Sequence, residues 1–139
     1  MNRNRIVFGG LLGGVAFFIL LAIVSQTVLA TPHERLTAQG VLRSQPAAAW
    51  YIPGYVLAIL AIGVALVWLY AAVRPRLGPG PLTALKVGLI VGAIAALPSS
   101  LAEYAWTGLG GYVAMWWGLE LFLGCILAAL VGAAVYREA

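Results

Sequence analysis

Four long apolar runs, 6–30, 52–73, 82–104 and 112–136, make up most of this chain of 139 residues. Each is long enough to cross a bilayer as a helix, which takes roughly 20 residues. The runs are continuous rather than alternating. In lipid, where the backbone must satisfy itself, that pattern selects helices over barrel strands. The predicted fold is all-α: one integral domain, 1–139, folded as a four-helix transmembrane bundle. Composition agrees. Hydrophobic residues are 63% of the chain and charged residues 9%, where a soluble domain carries about 25% charged. Mean hydropathy is +1.01. Such a chain cannot clothe its surface in polar groups, so the lipid bilayer is its expected solvent and first partner.

Asn2-Arg3-Asn4-Arg5 before an apolar run has the charge pattern of a secretory signal. The run of roughly 25 residues exceeds the 7–15 of a signal's apolar region, so it reads as an uncleaved first span. Net charge is +4. Arg3, Arg5, Arg74, Arg76, Lys86 and Arg137 fall on one predicted side, and Arg35 and Arg43 on the other. The positive-inside rule then places both termini and the Arg74–Pro81 loop in the cytoplasm, in a bacterial inner membrane. Basic residues confined to helix ends fit that rule better than nucleic-acid binding, and no nucleic acid is expected as a partner. Trp50, Tyr51, Tyr55, Tyr104, Trp106, Tyr112, Trp116 and Trp117 form one predicted interfacial belt. Trp68, Tyr70 and Tyr136 form the other.

Cys125 is the only cysteine and His33 the only histidine. No intrachain disulfide is possible, and neither a metal site nor a cofactor is expected. No phosphate loop, hydrolase elbow or His-Glu-x-x-His motif is present, so no catalytic residues are assigned and the chain is not read as an enzyme.

Small residues recur at four-residue spacing, which places them on one helix face. Gly10 and Gly14 lie in the first span, Gly88 and Gly92 in the third, and Gly124, Ala128 and Gly132 in the fourth. Such faces let membrane helices approach closely. They are expected to serve packing, within the bundle or against a partner. The run Gly10 to Gly14 resembles Gly88 to Gly92 and hints at a duplicated hairpin.

Two glutamates interrupt the apolar runs. Glu103 continues the line Gly92, Ala96, Ser99, and Glu120 precedes Gly124, Ala128 and Gly132. An ionisable residue inside a span faces protein or a cavity and marks function or a helix lock. The short turn near Leu109 gives the two acids an axial offset of roughly 7 Å at 1.5 Å per residue. Direct contact is not expected, but a common polar pocket is open to them. Pro98 breaks the helical bonding before Glu103, and Ser99 and Ser100 are placed to satisfy the freed carbonyl. Together Glu120, Glu103, Ser99 and Ser100 are the intramembrane polar candidates. The outer loop is expected to hold a short interfacial helix over 36–42, and His33 reads as a solvated loop residue.

Arg74-Pro75-Arg76-Leu77-Gly78-Pro79-Gly80-Pro81 reads as a rigid loop, with Arg74 and Arg76 as anchors for headgroups or a partner. The longer stretch around it, Leu69-Tyr70-Ala71-Ala72-Val73-Arg74-Pro75-Arg76-Leu77-Gly78-Pro79-Gly80-Pro81-Leu82-Thr83-Ala84, resembles the signature of a family of small, uncharacterised bacterial four-helix integral membrane proteins. The resemblance implies the fold and an acid in the last helix, at Glu120. Many relatives carry polar or acidic residues in the first helix, where this chain has Phe17, Phe18, Leu20 and Leu21. The resemblance brings no activity. Two functions are expected from different classes. The first is a non-catalytic accessory subunit packed against a larger respiratory or photosynthetic membrane complex, or against itself. The second is a small oligomeric transporter or proton/cation pathway built on Glu120.

Overall fold

The computed structural model describes residues 2–136. Five helices follow in order: α1 (Arg3–Thr27), α2 (Ala30–Ala38), α3 (Tyr51–Leu77), α4 (Pro81–Trp106) and α5 (Gly110–Val135). All but α2 are long and apolar enough to cross a membrane, at 25 to 27 residues each. The chain is a multi-pass, all-α membrane bundle, and the described residues contain no strand. At 1.5 Å per residue each span is about 38 Å long, so its ends reach past a 30 Å hydrocarbon core.

Around the bundle the order is α3, α1, α5, α4, with α3 closing loosely onto α4 and α5. Asn2 donates its backbone N–H to Tyr136 Oη at 3.4 Å, so both ends of the described chain lie together. The α3–α4 turn lies there as well, since Gly80 N–H donates to Tyr70 Oη at 3.1 Å. We call this the terminal end, and its opposite the α2 end. Arg137, counted with the basic residues of the cytoplasmic side, lies outside the described residues.

Several boundaries differ from those expected. The first span ends at Thr27, and the interfacial helix covers Ala30–Ala38 rather than 36–42. Pro32 sits in its first turn, where a missing N–H costs nothing. Gly40, at φ +73, ends it. Helix α3 also runs on to Leu77, so Arg74, Pro75 and Arg76 form its last turn rather than a loop. Gly78 and Gly80, at φ +82 and +126, turn the chain into α4. Tyr70 and Tyr136 are not belt residues. Both are buried, edge to face at 6.1 Å, with the Arg74 guanidinium 5.7 Å from the Tyr136 ring centre.

The small residues are spent inside the bundle. Gly9 and Gly13 face the backbone of Gly132 and Ala128 on α5. One step round the helix, Gly10 and Gly14 face Val64 and Leu60 on α3, and Gly63 fits between those two glycines. Gly88 meets Ile126 and Gly92 meets Phe122 across α4 and α5. Gly124 leaves the notch that holds the Phe17 ring, which is fully buried. Lipid is as apolar as these surfaces, so dispersion from close approach, not hydrophobicity, is what such faces gain.

Candidate functional site

Glu103 lies one turn from the end of α4, and Glu120 ten residues into α5, both toward the α2 end. Side chains on a helix lean toward its N-terminus. On antiparallel α4 and α5 that leans the two carboxyl groups toward each other and shortens the gap expected from their axial offset. The Glu103 and Glu120 side chains lie within electrostatic range of each other, as do those of Glu120 and Tyr55 of α3. Both glutamates are half-buried, and one oxygen of each, Oε2, is sealed from solvent without a hydrogen-bond partner. A buried carboxylate oxygen with no donor is costly. Three helices therefore bring two acids and a phenol into one neighbourhood, with unmet capacity to accept a proton or a cation.

Below them the bundle is closed. Phe17, Leu66, Val67, Cys125, Ala128 and Ala129 are inaccessible, and Tyr70, Ala71 and Ala84 cap them at the terminal end. The acids therefore sit in a bundle whose other half is plugged.

The two serines part company. Ser99 Oγ donates at 3.1 Å to the carbonyls of both Ala95 and Ala96. The carbonyl that Pro98 deprives of a donor is that of Ile94, four residues back, so Ser99 does not repair the proline gap as expected. Ser100 instead crosses to α5, donating to the Ala114 carbonyl at 3.0 Å. Gly118 makes this bond possible, because a β-carbon there would fall on the Ser100 hydroxyl. Sequence reasoning missed Gly118, which lies off the Gly124/Ala128/Gly132 stripe. The signal for it was Ser100 on the facing helix. Of the two expected anchors, Arg76 is exposed, whereas Arg74 is half-buried against Tyr136.

His33 is also placed differently from expectation. It is half-buried, and its Nε2 accepts a hydrogen bond from Trp117 Nε1 at 3.2 Å. Burial lowers its pKa below the ordinary 6.5. Among the described residues no three histidine, cysteine or acidic side chains converge on a point a metal ion could occupy. Comparisons with protein-family models, with curated proteins and with solved structures return no match.

Proposed function

We propose that this chain is a non-catalytic membrane protein that takes up a proton or small monovalent cation at Glu103 and Glu120, as one unit of an oligomeric proton or cation pathway. The observation that carries the reading is the pair of sealed, unpartnered carboxylate oxygens on two glutamates within electrostatic range of each other. Two carboxylates in an apolar surround attract a positive charge between them. The plugged terminal half argues for more than one copy, because a single bundle offers no continuous polar path. The basic residues at the terminal end support placing that end in the cytoplasm, in a bacterial inner membrane, and the run Leu69 to Ala84 supports a place in the resembling family of four-helix proteins. Liposomes carrying the purified chain and a pH- or cation-sensitive dye test the reading. Flux above that of empty vesicles is expected, with loss in Glu120→Gln. Equal flux in Glu120→Gln, or none in the wild type, overturns it.

A second reading is an accessory subunit of a larger respiratory or photosynthetic complex. Its support is an apolar groove of about 600 Å³ along α4 and α5, between Leu97, Tyr104, Met115 and Phe122. The glycine faces no longer argue for it, being used internally. Purification in mild detergent separates the two, since an accessory subunit migrates with a stoichiometric larger partner.

A further inference from the structure

A second groove, of about 990 Å³, runs between α1 and α3 at the terminal end. Its volume falls within the 300–1,000 Å³ usual for ligand sites. Its shape has a local cause. Gly10 lets α1 close onto Val64 of α3. Beside that contact, the small side chains of Ala61 and Ala65 leave a trough between Val7 and Trp68. Ile6 and Val64 line it as well. From Ala61 to Trp68 the trough is about 10 Å long at 1.5 Å per residue. Its one charged side chain is Arg3, in the first turn of α1, and its one other polar group is the indole N–H of half-exposed Trp68.

Arg3 lies at the terminal end of the groove, and apart from Trp68 the rest of its lining is apolar. That is the polarity profile of an anionic amphiphile standing upright in one leaflet. Arg3 supplies charge for a phosphate, and the positive end of the α1 dipole lies beside it. Trp68 is of the residue type that settles at headgroup depth. A zwitterionic lipid brings a cation toward Arg3 along with its phosphate, and an anionic lipid does not.

We propose that the α1/α3 groove is a binding site for one anionic phospholipid, its phosphate on Arg3 and an acyl chain along Ala61 and Ala65 beside Trp68. The proposal is independent of the carboxylate pair at the other end. Native mass spectrometry of the full chain, titrated with phosphatidylglycerol and phosphatidylcholine, tests it. One retained phosphatidylglycerol per chain is expected, with a preference of about fivefold lost in Arg3→Gln, the scale of one basic residue at an anionic surface. Arg43→Gln, an exposed control at the α2 end, keeps the preference. Ala65→Phe fills the trough and loses both lipids. Glycerol phosphate, which carries the headgroup chemistry without a chain, does not compete. Equal retention of the two lipids by the wild type, or an unchanged preference in Arg3→Gln, overturns the proposal. Arg3 is exposed at a helix end, so that variant tests the site even where Ala65→Phe fails to fold.

Discussion

His33 and Trp117, 84 residues apart in sequence, hold α2 to α5 through one hydrogen bond, with the imidazole Nε2 as acceptor and the indole N–H as donor. The rings meet edge to face at 5.9 Å. An imidazole that accepts at Nε2 must be neutral, since imidazolium has only donors. The contact lies over Val24, Leu29, Leu109 and Val113, the small core under the α2 end.

This latch carries a pH dependence of fixed sign. His33 titrates below its ordinary 6.5 when docked, because burial disfavours its charge. The undocked form therefore binds protons more readily, and docking gains stability as pH rises. The contribution is full above 6.5 and is lost as pH falls through the docked value. Amide exchange in α2 is expected to quicken between pH 7.5 and 5. In His33→Gln, whose amide oxygen accepts at any pH, the rate is expected to change little.

Ser100 and Gly118 form a lock between α4 and α5 and should not act additively. Ser100→Ala removes one interhelical hydrogen bond, a loss of about 0.5–1.5 kcal/mol. Gly118→Ala displaces the same hydroxyl and adds crowding, so it is expected to cost about 1–3 kcal/mol. In the double variant the added methyl no longer meets a hydroxyl. Its loss should fall short of the sum by at least about 0.5 kcal/mol, measured as a double-mutant cycle of unfolding in detergent. Additive losses would show that the two side chains do not share the contact.

Glycines in α3 should differ by what faces them. A β-carbon at Gly63 would stand 2.6 Å from the Gly14 nitrogen, and neither backbone can yield without moving a whole helix. Gly63→Ala is expected to destabilise by about 1–3 kcal/mol. At Gly54 the nearest atom would be a Trp50 ring carbon at 3.5 Å, an ordinary contact. Gly54→Ala is expected to be neutral or to stabilise by about 0.5–1 kcal/mol, through lost chain entropy alone. Thermal unfolding of the two variants side by side checks the contrast.

Tyr70 ties the turn between α3 and α4 to the core. Tyr70→Phe keeps the ring against Tyr136 but strips the Gly80 N–H of its acceptor. A loss of about 0.5–1.5 kcal/mol is expected, with faster proteolysis at the turn. Unchanged cleavage there would show that the hydroxyl does not hold it.

Much of the fold was legible because hydropathy is a property of a segment, readable without knowing its neighbours. The four spans lie within a few residues of where composition put them. The misplaced boundaries are those where context decides. Arg74, Pro75 and Arg76 look like loop, yet the helix runs through them to Leu77, with Arg74 over Tyr136, 62 positions downstream, and ends where Gly78 N–H donates to the Arg74 carbonyl. His33 looks solvated until α5 supplies Trp117. Of the candidate polar residues, Glu103 and Glu120 were visible as charges in apolar runs, but their mutual electrostatic range depends on how their side chains lean on antiparallel helices. Ser100 was visible and its partner was not.

By itself the sequence determined that this chain lives in lipid, crosses it four times as helices, and keeps acids where acids are costly. Only the tertiary structure decided which neighbour each small residue serves: Gly9 and Gly13 serve α5, Gly10 and Gly14 serve α3, and Gly124 serves Phe17. The reason is physical. In a bilayer every helix face is apolar and no hydrophobic bias tells one from another, so pairing follows the fit of notch to side chain at matched height and azimuth, a relation between helices that no single segment carries.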